Sequence, residues 1–318
     1  MLTINADTID KALTFPKLVD ALHVAFTESI HVPPRLHYDM ENPKASRETT
    51  LLMMPAWQAG DVAGIKLVTV APENSQKDLP SIQGTYLLLD VDTGSMKAML
   101  DAPLLTAKRT AAASALASRF LSRQDSQRLL IIGTGTLATH LIEAHISVRP
   151  IKQVYVWGRN IEKAQKVCQQ VAHLGIDCIA VEDLEFYVKQ ADIISCATLS
   201  TQALVFGDWL KEGQHLDMVG AYRPDMREMD NHCLTRANIF VDNVESAIRE
   251  TGDLAIPLQE NVITTGDIKA DLFALCNGEY SYQRNENDIT LFKSVGHALE
   301  DLAAAKLVVE YLDEVKRF

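Results

Sequence analysis

The chain has 318 residues, 47% hydrophobic and 23% charged, a composition that can bury a core, argues against disorder and suits two domains. Thirty Lys and Arg against 42 Asp and Glu give a formal charge of −12, which disfavours nucleic acid and anionic membranes as partners and admits anionic ligands only where cations converge. Five cysteines without CxxC spacing, histidines scattered as at His37, His140, His215 and His297, an acidic N-terminus and no apolar run of membrane-spanning length lead us to expect a cytoplasmic chain with buried free thiols and no metal.

The first periodic segment runs from Phe15 to Ile30, where Leu18, Leu22, Ala25 and Phe26 recur at helical spacing. Four strand-like runs follow, TTLLMMP, AGIKLVTV, GTYLLLDV and MKAMLDA, separated by turns rich in Pro, Gly and Asn. Consecutive strands without helices between them predict an antiparallel or mixed sheet. The Ala-rich stretch Leu104 to Leu121 has the highest helix propensity in the chain and reads as the helix joining two domains.

After Ser126 the runs RLLIIG, QVYVWG, DCIAV, DIISCAT, HLDMVG and NIFVDN alternate with mostly helix-compatible segments, which calls for a parallel, doubly wound sheet covered on both faces. Ile289 to Lys316 reads as one long closing helix returning to the N-terminal domain. The expected fold class is therefore α/β, a doubly wound parallel sheet plus a second α+β domain formed by both chain ends. Its boundaries are set at residues 1–115 with 300–318, and at 116–299.

RLLIIG-TGTLATHLIEA places Gly133, Gly135 and Ala138 as GxGxxA between a strand and a helix. The first glycine allows the tight turn, the second admits a pyrophosphate to the backbone, and the small third residue lets helix and strand pack closely. Gly133, Thr134, Gly135, Thr136 and Leu137 are thus candidate dinucleotide contacts, with the free N–H groups of the helix start serving the phosphates. A glycine turn alone is a weak signal; the strand before it, the helix after it and the next strand at the right distance strengthen it. That next strand ends in Trp157, Arg159 and Asn160 without an acid. A ribose 2′-hydroxyl calls for a carboxylate there and a 2′-phosphate for a cation, so NADP(H) is favoured over NAD(H), although an ordinary surface arginine would look the same.

Upstream and downstream of this turn stand VPPRLH, LLMMPAW, GIKLVTV, LPSIQGTYLLLDVDTG, LTAKRTAAASALAS, GTGTLA, WGRN, VGAYRPDMREMD and FKSVGHALEDLAAA. In these nine ordered blocks the chain resembles the ornithine cyclodeaminase/mu-crystallin family. The resemblance implies a Rossmann domain, a dimerising substrate domain built from both chain ends, a homodimer, and chemistry on small amino acids or their imines. It also implies that Arg35, Lys66 and Arg109 are the cations for a substrate carboxylate, Lys66 being a candidate general acid because crowded cations lower its pKa. Gln83 is a further candidate substrate contact. Asp225, Glu228 and Asp301 are read as capping or pairing charges.

The chain departs from the cyclodeaminases of that family where their amine-handling aspartate aligns with Tyr222, and again where an apolar residue precedes the MP dipeptide. A neutral phenol is no base near neutral pH. The expected activity is therefore NADPH-dependent reduction of a cyclic ketimine carboxylate, Δ1-pyrroline-2-carboxylate or Δ1-piperideine-2-carboxylate, to L-proline or L-pipecolate. Thr198, Val219, Gly220 and Ala221 would flank the nicotinamide half, with Ser294 and Gly296 on its other side. Ornithine cyclodeaminase or alanine dehydrogenase activity, and NADPH binding without turnover, are the alternatives.

Overall fold

Phe15, Leu18, Val19, Leu22, Ala25 and Phe26 form the buried stripe of a helix that starts after the extended Thr14, with Pro16 in its first turn, where a missing N–H costs no hydrogen bond. In the computed structural model, which describes residues 1–43, 48–77 and 79–317, this helix belongs to the first of two compact units. The first comprises Met1–Arg109 and His297–Phe318, the second Thr110–Gly296.

In chain order the first unit contains β1 (Leu2–Ile4), α1 (Ala6–Ala12), α2 (Phe15–Thr27), β2 (Ile30–His31), β3 (Leu36–Met40), β4 (Thr49–Gln58), β5 (Val62–Val70), β6 (Ile82–Asp90) and β7 (Met96–Asp101). Strands β4 to β7 are the four apolar runs and pair antiparallel in sequence. β1 adds parallel to β7, and β2 and β3 pair with β4, making a mixed sheet. α2 stops at Thr27, short of Ile30, which is drawn into β2. Helix α3 (Ala102–Leu121) runs across the boundary between the units.

The second unit alternates β8 (Arg128–Ile132), α4 (Leu137–Val148), β9 (Gln153–Trp157), α5 (Ile161–Gln170), β10 (Asp177–Val181), α6 (Leu184–Gln190), β11 (Ile193–Cys196), β12 (His215–Met218), α7 (Asn231–Arg236), β13 (Asn238–Val241), α8 (Val244–Glu250), α9 (Gly252–Gln259), β14 (Ile268–Asp271), α10 (Leu272–Cys276) and β15 (Thr290–Lys293). The helix starts are written locally: the side chains of Asn160, Asp183, Asp230, Asn243 and Asp271 each accept a first-turn N–H. All strands are parallel, in the order β10-β9-β8-β11-β12-β15-β13-β14. β8, β11 and β12 are the buried centre, the Rossmann arrangement with its strand order reversing beside β8.

β15 corrects the reading of residues 289–316 as one helix. Thr290 to Lys293 are wholly buried between β12 and β13, and pairing on both edges overrides local helix propensity. Gly296, at φ 83°, turns the chain, and helix α11 (Ala298–Val315) begins only after it. α11 returns to the first unit, where it packs on α2, β4, β5 and β6. Among the described residues no helix is long and apolar enough to cross a membrane.

Candidate active site

At the end of β8 the chain turns on Gly133, whose φ of 124° is foreign to side-chain-bearing residues and whose added Cβ would stand 2.5 Å from the Ala197 carbonyl oxygen. Gly135 faces open space. Thr136, at the start of α4, makes no side-chain cap, so the N–H groups of that first turn have no such partner. These features border a pocket of about 580 Å³. Its lining includes Gly133, Thr134, Gly135, Trp157, Arg159 and Thr198, whereas Thr136, Leu137, Asn160, Val219, Gly220, Ala221, Ser294 and Gly296 lie outside it. The glycine cradle, the uncapped helix start and the pocket volume fit a dinucleotide.

Arg159 is joined in the lining by Lys163, and among the described residues no carboxylate lines the pocket. Asn160 is occupied as the cap of α5, accepting the Lys163 N–H at 3.0 Å. Lys163 was not singled out from sequence; its position four residues after Arg159, across the helix start, is the available signal.

A buried carboxylate organises the neighbouring loops. Glu228 Oε1 accepts the Thr198 N–H at 2.6 Å and hydroxyl at 2.9 Å, while Oε2 accepts the N–H groups of Gly220 at 2.6 Å and Ala221 at 3.0 Å. Burial pushes the Glu228 carboxyl up, against the nearby Lys293 ammonium. Lys293 in turn lies 3.1 Å from Asp253. Asp242 plays the same part for the turn after β15, accepting from Ser294 Oγ, Val295 N and Gly296 N at 2.7–3.0 Å. Gly220, Ala221, Ser294 and Gly296 are therefore loop positions held by carboxylates, whereas the Val219 N–H donates to the Cys196 carbonyl at 2.9 Å. Tyr222 follows them, 36% exposed, and Asp225 pairs with Arg223 at 2.6 Å.

The first unit carries the second constellation. Strand registry puts Met54, Lys66, Tyr86 and Leu100 in one row on one sheet face, all buried. Helix α11 presents Glu300 and Asp301 to that row. Lys66 Nζ lies 3.0 and 2.8 Å from the two Asp301 oxygens; Arg109 donates Nε to Asp301 at 2.9 Å and Nη1 to Glu300 at 2.6 Å. Burial and the Arg109 charge lower Lys66 to about 8, with Asp301 opposing and Arg35 adding to the fall. Burial alone would raise Asp301, but Arg109 and Lys66 outweigh it and hold the carboxyl below its ordinary range. Burial, and then the Asp301 charge, push the Tyr86 phenol well up.

The structure thus brings Lys66 and Arg109 together and keeps the half-buried Arg35 within electrostatic reach. Arg109 meets two protein carboxylates, so a guanidinium with all its donors open to substrate is not what the fold provides. Asp301 does pair, but with the two cations singled out for substrate. Gln83 is set apart: registry places it beside Thr69 and Leu51 on the opposite sheet face, exposed, with Nε2 3.5 Å from the Pro80 carbonyl. The five cysteines are free, but only Cys196 and Cys233 are buried; Cys168, Cys178 and Cys276 are half-buried, which corrects the expectation for those three. Among the described residues no group of three or more His, Cys, Asp or Glu side chains is arranged to hold a metal.

Residues 3–316 match the model of the ornithine cyclodeaminase/mu-crystallin family. An uncharacterised protein of Schizosaccharomyces pombe is 44% identical, over 96% of this chain and 95% of its own length. The Δ1-pyrroline-2-carboxylate reductase of Colwellia psychrerythraea is 37% identical, over 98% of this chain and 99% of that one. Among solved structures, Thermococcus litoralis Δ1-pyrroline-2-carboxylate reductase with NADH and L-proline superposes with a TM-score of 0.92 at 33% identity, covering 99% and 98% of the two chains. An archaeal alanine dehydrogenase dimer with bound NAD gives 0.89 at 29% identity, covering 98% and 95%.

Proposed function

Because the chain belongs to the ornithine cyclodeaminase/mu-crystallin family, whose named relatives here are nicotinamide-dependent enzymes, we propose that it reduces a cyclic ketimine monocarboxylate, Δ1-pyrroline-2-carboxylate or its six-membered homologue, to the L-imino acid. The observation that carries this reading is the buried cluster on the β5–α11 face. Three cations, Arg35, Lys66 and Arg109, stand against two carboxylates, Glu300 and Asp301. Lys66 and Arg109 drawn together on Asp301, with the Arg35 charge within electrostatic reach, suit a ligand that brings a carboxylate.

In this reading Arg35 and Arg109 hold the substrate carboxylate, so catalysis is chiefly positioning. Asp301 fixes the Arg109 guanidinium through Nε and the Lys66 ammonium through both oxygens. Lys66, lowered to about 8, passes a proton from Nζ to the ring nitrogen, near the optimum for a donor at neutral pH. The transfer moves one charge within the cluster and leaves its sum unchanged. The nicotinamide, when bound, supplies the hydride. Gly133, Gly135 and the first turn of α4 receive its diphosphate, while Arg159 and Lys163 favour a 2′-phosphate. Thr198, Val219, Gly220, Ala221, Ser294 and Gly296 serve the nicotinamide half, all but Val219 steadied by Glu228 or Asp242.

A homodimer is part of the proposal. The sheet face opposite Lys66 carries Met53, Pro55, Ile65, Leu67, Leu87 and Met99, none of them fully covered, and the alanine dehydrogenase relative is a dimer. Purified protein incubated with NADPH and Δ1-pyrroline-2-carboxylate tests the activity. Loss of reduced-nicotinamide absorbance with formation of L-proline is expected; ammonia release from ornithine, or NADH formation from alanine, without imine reduction would overturn the assignment.

A further inference from the structure

Lys293, the last residue of β15, is wholly buried in the second unit together with Asp253 of α9 and Glu228. Its ammonium stands 3.1 Å from Asp253 Oδ2 and 4.0 Å from Glu228 Oε2, yet makes no well-directed hydrogen bond among the described residues. Its part is therefore that of a charge. Two carboxylates face this one ammonium, and a buried carboxylate left without a compensating charge takes up a proton instead.

The two carboxylates are not equivalent. Asp253 Oδ1 accepts the backbone N–H of Glu228 at 2.8 Å, a task an amide oxygen can also perform. Glu228 needs both of its oxygens: Thr198 N and Oγ1 donate to one, Gly220 N and Ala221 N to the other, at 2.6–3.0 Å. The loops after β11 and β12 close over it so tightly that a Cβ on Gly220 would stand 2.2 Å from the Thr198 nitrogen. Protonation would turn one Glu228 oxygen into a donor facing groups that are donors themselves. Burial pushes the Glu228 carboxyl toward that state, the Lys293 charge opposes it, and the Asp253 charge adds to it.

We propose that Lys293 is a positioning residue for the dinucleotide: its buried charge keeps Glu228 a carboxylate, and Glu228 fixes the Thr198 and Gly220–Ala221 backbone that receives the nicotinamide half. The assignment rests on the cofactor role given to those loops under the proposed function. Lys293 acts through Glu228, and its closer ion pair with Asp253 is not what holds the loops. Removing Lys293 and removing the Asp253 charge therefore have different consequences, although both break the same 3.1 Å pair. Without Lys293, Glu228 loses the charge that opposes its protonation; without the Asp253 charge, it loses one that favours it. A purely structural salt bridge would make the two losses alike.

The test reads two quantities on the full-length protein at neutral pH: amide hydrogen exchange, without cofactor, in peptides covering Thr198 and Gly220–Ala221, and NADPH affinity by fluorescence titration. Lys293→Met and Glu228→Gln should each speed exchange at Gly220–Ala221 and weaken NADPH by about tenfold or more. Combining them should cost little beyond either alone, because both act through one carboxylate. Asp253→Asn should exchange no faster than wild type and bind NADPH as well, a result that decides the matter even where Lys293→Met folds poorly. Faster exchange and weaker NADPH in Asp253→Asn, a folded Lys293→Met with wild-type exchange, or loosened loops with NADPH affinity unchanged would each overturn the proposal. Wild-type protein that bound neither NADPH nor NADH would instead bring down the proposed function, and this assignment with it.

Discussion

Asp301→Asn removes one charge from the centre of the cation cluster while keeping the side chain's shape. Asp301 holds Lys66 at 2.8–3.0 Å and raises its pKa against burial, Arg109 and Arg35, with a balance at about 8. A unit charge at ~4 Å in an effective dielectric of ~20 is worth about 4 kcal/mol, or roughly three pKa units as an upper bound. Neutralising it should lower Lys66, so the protonated donor disappears at lower pH. The assay is the pH profile of kcat for ketimine reduction. In the wild type kcat should fall as pH rises through about 8; in Asp301→Asn the falling limb should move down by roughly one to three units. A melting curve and Asp301→Glu as the charge-preserving control separate this from loss of fold, since an uncompensated buried charge costs about 3–5 kcal/mol. A limb that stays in place in a folded Asp301→Asn variant, or moves to higher pH, would refute Lys66 as the titrating donor.

Arg109→Ala should raise KM steeply, while Lys66→Met lowers kcat more than it raises KM; equal effects confined to KM would remove Lys66 from the acid role, as steady-state kinetics will show. Arg159→Ala with Lys163→Ala should weaken NADPH on the order of tenfold to a hundredfold, the worth of about 1.5–3 kcal/mol in charge-assisted hydrogen bonds, and leave NADH nearly unchanged, read by fluorescence titration. Gly133→Ala would put its Cβ 2.5 Å from the Ala197 oxygen at a φ of 124°; cofactor titration should show affinity lost by at least an order of magnitude while the fold persists.

Much of the architecture is legible locally. The strand, glycine turn and helix around Gly133 are contiguous, so three neighbouring features constrain each other. The strands β4 to β7 likewise declare themselves by short apolar runs. Thr290–Lys293 misleads because a strand buried on both faces loses its alternation and borrows the apolar character of the helix beyond it. Asn and Asp before it and Gly296 after it are punctuation that marks a separate element.

The cation cluster is legible in part, because its partners are remote. Asp301 is 235 positions from Lys66 and 192 from Arg109, and no local pattern says that α11 will carry two carboxylates onto β5. Gln83 was open to a stricter reading. Once Tyr86 is counted on the Lys66 face, period-two alternation sends Gln83 to the other. Glu228, Asp242 and Lys293 became significant only when burial was known, since a buried charge looks in sequence like any other charge.

The most direct measurement follows deuterium from the C4 position of reduced NADPH during a single turnover with Δ1-pyrroline-2-carboxylate. A ketimine held by its carboxylate at the Lys66–Arg109 cluster and reduced by hydride at the C=N carbon predicts L-proline carrying one deuterium on its α-carbon, at a rate that collapses in Lys66→Met. L-Proline carrying only solvent hydrogen there, or cofactor oxidised with no labelled product, would contradict the account.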